Sequence, residues 1–261
     1  MGSKARHMKR LKSFSYLLVV VLFWGCNSED GLNCFQAAGT IVQQEFEVKT
    51  FEKILVRNRV QLIISQGPVQ KVVIETGENL MNDIVVTSLN NTLSVKNDNG
   101  CNLVRDYGIT KVFVTSPNIT QIRNSSGLTI ESDGVLNYPE LLLLSEDEAN
   151  QDQFHIDGDF RLDLNVESLS LVGTGISNFF LTGRATEARF EIFNGDGRIE
   201  AQDLIVDDLI IYHRGTQKMI VHPLNSIIGE IRGLGDVISV NEPPIVNVEE
   251  YFTGTLIFDP Q

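Results

Sequence analysis

Four glycines, Gly175, Gly195, Gly215 and Gly235, recur at intervals of 20 residues in the second half of the chain. Each stands between two apolar runs: Leu169 to Val172 and Phe179 to Leu181, Phe190 to Phe193 and Ile199, Leu209 to Tyr212 and Met219 to Val221, Ile227 to Ile231 and Val237 to Val240. One period therefore holds two strands and a glycine turn. A period of about twenty residues is the length of one solenoid coil, which buries its apolar face on the coils above and below. The first expectation is an all-β, right-handed parallel β-helix of about 20 residues per coil, its glycines stacked at a corner where the backbone turns with φ > 0. The rival is an antiparallel β-sandwich or meander, with Asn194-Gly195-Asp196-Gly197 and Arg214-Gly215 as hairpin turns. The repeat has one flaw. Phe190 and Ile192 map onto Ile210 and Tyr212 but then onto Glu230 and Arg232, so the inward parity slips, and a β-bulge is expected to absorb it.

Upstream, short β-branched runs bounded by turn residues continue the pattern: Val60 to Ile64, Val72 to Glu75, Ile84 to Val86, Leu93 to Val95 and Lys111 to Val114. They read as strands. The one candidate helical turn is Glu78 to Asp83, short enough to be a loop. Ser145 to Asp159, with six acidic residues, reads as an excursion. No linker splits residues 44–261, which read as one domain, and from about residue 243, after Pro243-Pro244, the last segment is expected to cap the stack, because an open solenoid end exposes strand edges.

The first residues belong to another category. Lys9, Arg10 and Lys12 precede an apolar run from Tyr16 to Trp24 that ends at Gly25-Cys26. The run is about half the roughly 20 residues that a membrane-spanning helix needs, so residues 1–25 read as a signal peptide, with Met8 a better initiator than Met1. A small residue before a cysteine resembles the lipobox of bacterial lipoproteins, which makes Cys26 the expected lipidation site and residues 26–43 an acylated tether. Trp24 and Phe23 depart from that pattern, and a plain secretory signal with an incidental cysteine is the alternative. The acidic Glu29 and Asp30 behind Cys26 resemble surface-export signals, with a solvated tether as the alternative, and the location expected of such a lipoprotein is the outer membrane, on its surface or periplasmic face.

Five of the 21 basic residues precede Cys26 and none of the 34 acidic residues does, so the chain beyond it carries a net charge of −18. That excludes nucleic acid as a natural partner and leaves the lipid, not the protein surface, to hold the membrane. With Cys26 acylated, Cys34 and Cys101 form an even pair in an exported protein and suggest a disulfide, worth roughly 4 kcal/mol in the chain-entropy account for a loop of about 65 residues. Two buried thiols are the alternative.

Several segments also point to a family. They are Cys34-Phe35-Gln36-Ala37-Ala38-Gly39, Phe46-Glu47-Val48 with Phe51-Glu52-Lys53-Ile54, and Val60 to Gly67, followed by Gly173-Thr174-Gly175-Ile176 and Gly233-Leu234-Gly235-Asp236-Val237. Together they resemble the putative auto-transporter adhesin family with a head GIN domain, over roughly residues 44 to 240. The resemblance implies a β-helical or β-rich extracytoplasmic domain of secreted and lipid-anchored bacterial proteins and brings no catalytic residues with it.

The residues themselves offer little chemistry. Asp196 and Asp236 fall at corresponding turns of the 20-residue frame, and paired carboxylates about 5 to 9.5 Å apart would suit glycoside hydrolysis. Aspartate after glycine is also an ordinary turn residue. Asn194, Asp196, Asp203, Asp207 and Asp208 supply oxygen ligands for calcium, but their spacing fits no calcium loop. His213 and Arg214, with Tyr212 and Lys218, form a patch that fits an anionic glycan or protein, while His155 and His222 stand alone. The function expected is thus a lipid-anchored binding or adhesin-like module without catalysis, taking a glycan or protein ligand. A carbohydrate-active enzyme on the same scaffold, which would place aromatics at matching coil positions, and a structural envelope protein are the alternatives.

Overall fold

A computed structural model of the chain describes residues 36–100, 108–147 and 153–259. Cys26, Cys34 and Cys101, and with them the anchor and the disulfide, lie outside the described residues. The described part is all-β. Ten short strands come first: β1 (Ile41–Glu45), β2 (Lys53–Arg57), β3 (Gln61–Gln66), β4 (Lys71–Gly77), β5 (Ile84–Leu89), β6 (Thr92–Asn97), β7 (Lys111–Ser116), β8 (Gln121–Ser125), β9 (Ile130–Ser132) and β10 (Glu140–Ser145). Four long ones follow, β11 (Phe160–Gly173), β12 (Asn178–Ile192), β13 (Arg198–His213) and β14 (Met219–Ile231), then β15 (Val237–Ser239), β16 (Ile245–Glu250) and β17 (Leu256–Phe258). A single turn of 3-10 helix falls at Glu78–Asp83, where the sequence placed its one helical turn.

From β10 onward every ladder is parallel. Phe160 pairs with Phe179, Phe179 with Ile199, Ile199 with Met219, Met219 with Val237 and Val237 with Leu256. The strands beside Asn194–Gly197 and Arg214–Gly215 therefore pair parallel, and these turns are not hairpins. A straight β11 would run about 43 Å from Phe160 to Gly173. The five residues from Gly173 to Asn178 reach at most about 18 Å. Yet the Asn178 amide donates to Asp159 Oδ1 at 2.7 Å, so the strand must curl until its ends meet. The burial pattern shows where it bends. In β13 the buried positions run Ile199, Ala201, then Leu204, Val206, then Leu209, Ile211, His213, and two successive residues stay unburied at Gln202-Asp203 and at Asp207-Asp208. Each break in the alternation turns the sheet through a corner and keeps the apolar set inside.

The N-terminal half departs from the uniform parallel stack expected. β2 lies between β6 and β8, and β3 between β7 and β9, all parallel, so the earliest coil in sequence is inserted between two later ones. β4 pairs antiparallel with β7 and with β1, and β5 pairs antiparallel with β6. The whole is a mixed sheet curled around one core that reaches from Phe51 to Val237.

The glycine period has a different cause from the one expected. Of Gly175, Gly195, Gly215 and Gly235, only Gly195 has positive φ, at 91°. What they share is backbone contact across coils: the Gly175 carbonyl accepts from the Asp196 amide at 2.9 Å, Gly195 from Thr216 at 3.1 Å, and Gly215 from Leu234 at 3.1 Å. A Cβ at Gly195 would stand 2.2 Å from the Gly175 oxygen. The column then continues to Gly233, not Gly235, since a Cβ on Gly233 would meet the Gly215 oxygen at 2.3 Å. The last coil is shorter than twenty residues because the ladder between β13 and β14 shifts register twice.

Candidate functional site

Outward residues of neighbouring coils line up in columns, one residue per strand. The corner at Glu167-Ser168, Thr186-Glu187 and Asp207-Asp208 carries the column Ser168, Glu187, Asp208, Ser226, and beside it runs Ser170, Arg189, Ile210, Ile228. These eight residues line a groove of about 360 Å³ that crosses β11 to β14, with Leu169 and Ala188 at its base. A second depression, of about 690 Å³ and lined by Asn118, Pro139, Glu140, Glu167 and Thr186, shares Ser168 and Glu187 with it. Together they make a shallow channel along one corner of the sheet.

The groove combines hydroxyls, carboxylates, a guanidinium and two isoleucines. Glu187 and Asp208 face each other across adjacent strands, a like-charge pairing that costs stability unless something answers it. Ser226 Oγ donates to Asp208 at 2.6 Å, and Arg189 reaches Glu191 at 3.4 Å. Both pairs are exposed, and pairs of this kind contribute little to stability, so their side chains are free to exchange partners. None of the lining residues is aromatic.

The residues singled out in the sequence fall elsewhere. Asp196 accepts a hydrogen bond from the Thr216 hydroxyl, whereas Asp236 accepts from the Thr255 amide at 3.0 Å. They stand in different columns, because the short last coil aligns Asp236 with Lys218 and not with Thr216. The oxygen ligands Asp203, Asp207 and Asp208 are spread along β13, Asp207 pairs with Arg184 at 2.6 Å, and among the described residues no group of three His, Cys, Asp or Glu is placed to hold a metal. His222 Nδ1 lies 3.0 Å from the Gln202 carbonyl, and the His155 amide donates to Ser125. Of the patch at the third turn, Tyr212 packs against Phe193 with ring centres 5.1 Å apart, Arg214 is exposed, and His213 is buried in the core column between Ile192 and Ile231.

The buried titratable groups belong to that core and not to the groove. Burial pushes the Tyr138 phenol up to about 12. Burial likewise pulls His213 below the ordinary imidazole value of 6.5, with the Gln217 carbonyl and Asp236 opposing it. Nε2 lies 2.8 Å from that carbonyl and Nδ1 has no partner, so the folded state holds a neutral ring with its proton on Nε2. Unfolding then takes up a proton wherever the free imidazole is charged. The contribution of His213 is complete above pH 6.5 and drains away as the pH falls from there through the lowered folded-state value. Urea titrations at pH 7.5 and pH 5 are expected to show a smaller acid-induced loss in His213→Leu than in the unsubstituted chain. An equal loss in both would place the acid sensitivity elsewhere.

Of the groove residues the sequence singles out Asp208, as an oxygen ligand, and Ile210, which it expects on the inward face; Ile210 instead aligns with the outward Arg189, and the other six went unnoticed. Their signal was the outward parity of successive coils, but they align at offsets of 19, 21 and 18 residues, which a fixed period of twenty conceals.

A family model described as putative auto-transporter adhesin, head GIN domain, matches residues 50–243. Among solved structures, a putative adhesin from Bacteroides fragilis is similar over 84% of this chain and 97% of its own, at 22% identity and a TM-score of 0.74. A putative adhesin from Parabacteroides merdae matches over 84% and 96% at 18% identity and a TM-score of 0.59. A putative lipid binding protein from Parabacteroides distasonis matches over 85% and 96% at 14% identity and a TM-score of 0.56. Identities this low speak for the fold alone. No curated protein matches the chain.

Proposed function

Because the chain belongs to the putative auto-transporter adhesin family with a head GIN domain, we propose that it is a non-catalytic binding module of the bacterial envelope whose corner groove takes a saccharide. The observation that carries this reading is the groove itself, where serine hydroxyls, two carboxylates and Arg189 stand in register on a rigid parallel ladder around Ile210 and Ile228. Sites that orient polyhydroxylated ligands set a few polar groups on an apolar floor. The buried acid–base groups, Tyr138 and His213, lie in the core and are out of reach of a ligand there.

The same reading covers the rest of the chain. The curled ladder is a right-handed parallel β-helix from β10 onward. Residues 1–25 are removed, Cys26 carries the lipid, and Cys34 is joined to Cys101. The protein is held on the outer membrane by acyl chains. Support for the anchor comes from the Gly25-Cys26 junction behind the short apolar run. Among the described residues no helix is long and apolar enough to cross a membrane.

An array of bacterial and host glycans, read for both capture and cleavage, tests the function. Capture without cleavage is expected, and Arg189→Glu and Ile210→Asp are each expected to weaken it about tenfold or more, the scale of a central contact residue. Cleaved products would overturn the reading in favour of an enzyme. Capture that both substitutions leave intact would remove the groove from it.

A further inference from the structure

The two ends of the stack are built differently. At the N-terminal end, β1 covers β4, and Gln36 and Thr40 bond the 3-10 turn beneath them. At the other end no described segment covers the ladder. The segment expected to cap the stack, residues 245–258, runs as two further parallel strands, and among the described residues each has one partner strand, β14 for β16 and β15 for β17.

The core column Leu169, Ala188, Leu209, Ile227 ends at Val246, which is 44% exposed although Ile227 above it is fully buried. Val248 and Leu256 are likewise only half-covered where they close the core. The Tyr251 amide donates to the Ile231 carbonyl at 2.8 Å. Backbone direction alternates along a strand, so Asn247 and Glu249 turn their amides toward β14 while Val246, Val248 and Glu250 turn theirs to the open side. An edge of this kind is a template for another strand.

We propose that the β16 edge receives an extended basic segment of another protein as an added strand. Charge sets the partner. Glu250 occupies an inward position, below Ile192, His213 and Ile231, and Glu249 lies on the outer face below Tyr212 and Glu230. An added strand with apolar residues against Val246 and Val248 and with lysine or arginine against Glu249 and Glu250 buries the open core and brings positive charge to two carboxylates that, among the described residues, otherwise accept only from the Tyr251 hydroxyl and the Leu256 amide. A second copy does not meet those terms. None of β1, β5, β16 and β17 contains a lysine or arginine, and pairing two chains of like net charge adds repulsion. The carboxylates thus keep copies of the chain apart while leaving the edge open to a cationic strand.

The full chain, a synthetic peptide of alternating valine and lysine that ends in a pair of lysines to meet Glu249 and Glu250, and its counterpart with glutamate for every lysine test this. The lysine peptide is expected to bind, to slow hydrogen exchange at the amides of Val246, Val248 and Glu250, and to lose affinity about tenfold in the pair Glu249→Lys and Glu250→Lys. Val248→Pro, which removes an open-side amide and leaves the β14 ladder its bonds, is expected to have the same effect with the charges intact. Circular dichroism confirms that each variant is folded. Binding of the lysine peptide without protection at those amides, binding that Val248→Pro leaves unchanged, or a dimer of the chain paired through β16 would each overturn the proposal.

Discussion

Gly229→Ala is expected to cost about 3–5 kcal/mol, while Gly100→Ala leaves stability unchanged within about 0.5 kcal/mol. Gly229 takes a φ of 136°, which residues with a side chain avoid, and a Cβ there would stand 1.9 Å from the carbonyl oxygen of Ile211. That oxygen belongs to backbone already bonded into the ladder, so it has no inexpensive way to move. Among the described residues none but its chain neighbours stands within 4 Å of a Cβ at Gly100, and its φ is not positive. Urea unfolding of the two variants beside the unsubstituted chain decides the matter. A small effect at Gly229 would mean that the coil end relaxes easily, and the register of β14 would then need another explanation.

Gly229 also shows why the sequence was legible only in part. Under a fixed period of 20 residues, Phe190 and Ile210 lead to Glu230, a carboxylate where the core should be. The structure instead stacks Phe190 on Ile211 and Ile211 on Gly229, and places Glu230 on the outer face below Tyr212. The expected bulge is there, but it is distributed: one register shift between β12 and β13 and two between β13 and β14. Glycine at 229 lets the chain come back into phase where no side chain fits. Period and strand content were readable because turn residues and apolar runs are local signals. The offsets of 18 to 21 residues were not, since bulges arise from packing between coils.

The same limit explains the first half and the groove. The strands around Val60, Val72, Ile84, Leu93 and Lys111 were all visible, yet nothing local says that β2 and β3 slip between β6 and β8 and between β7 and β9. That order is set by which coil best covers another. The groove is a product of columns, and columns exist only once the offsets are known. Asp208 was noticed as an oxygen ligand among neighbours in sequence, whereas its neighbours in space are Glu187 and Ser226. His213 was noticed as a surface patch residue because Arg214 follows it, and parity within β13 turns it inward instead.

Phe179→Ala is expected to cost about 3–5 kcal/mol, as large-to-small substitutions of buried aromatics do. Phe179 is fully buried, and its ring stacks on Phe160 with centres 4.9 Å apart and planes within 10°. It is one rung of a column that continues through Ile199, Met219 and Val237, all of them buried. Because Phe179 lies between Phe160 and Ile199 on adjacent parallel strands, a hole at this rung weakens two interfaces together, and the neighbours cannot close it without abandoning their ladder bonds. The double variant Phe160→Ala, Phe179→Ala should therefore cost less than the sum of the two single ones, by about 0.5–1.5 kcal/mol for the ring pair itself. Phe252→Ser is the contrast, since that ring is 63% exposed in the turn between β16 and β17 and its loss should leave stability almost unchanged. Calorimetry on these four variants separates the middle of the ladder from its open end: strict additivity at Phe160 and Phe179 would mean that the rings do not stack in solution, and a large loss at Phe252 would mean that the open end is already covered.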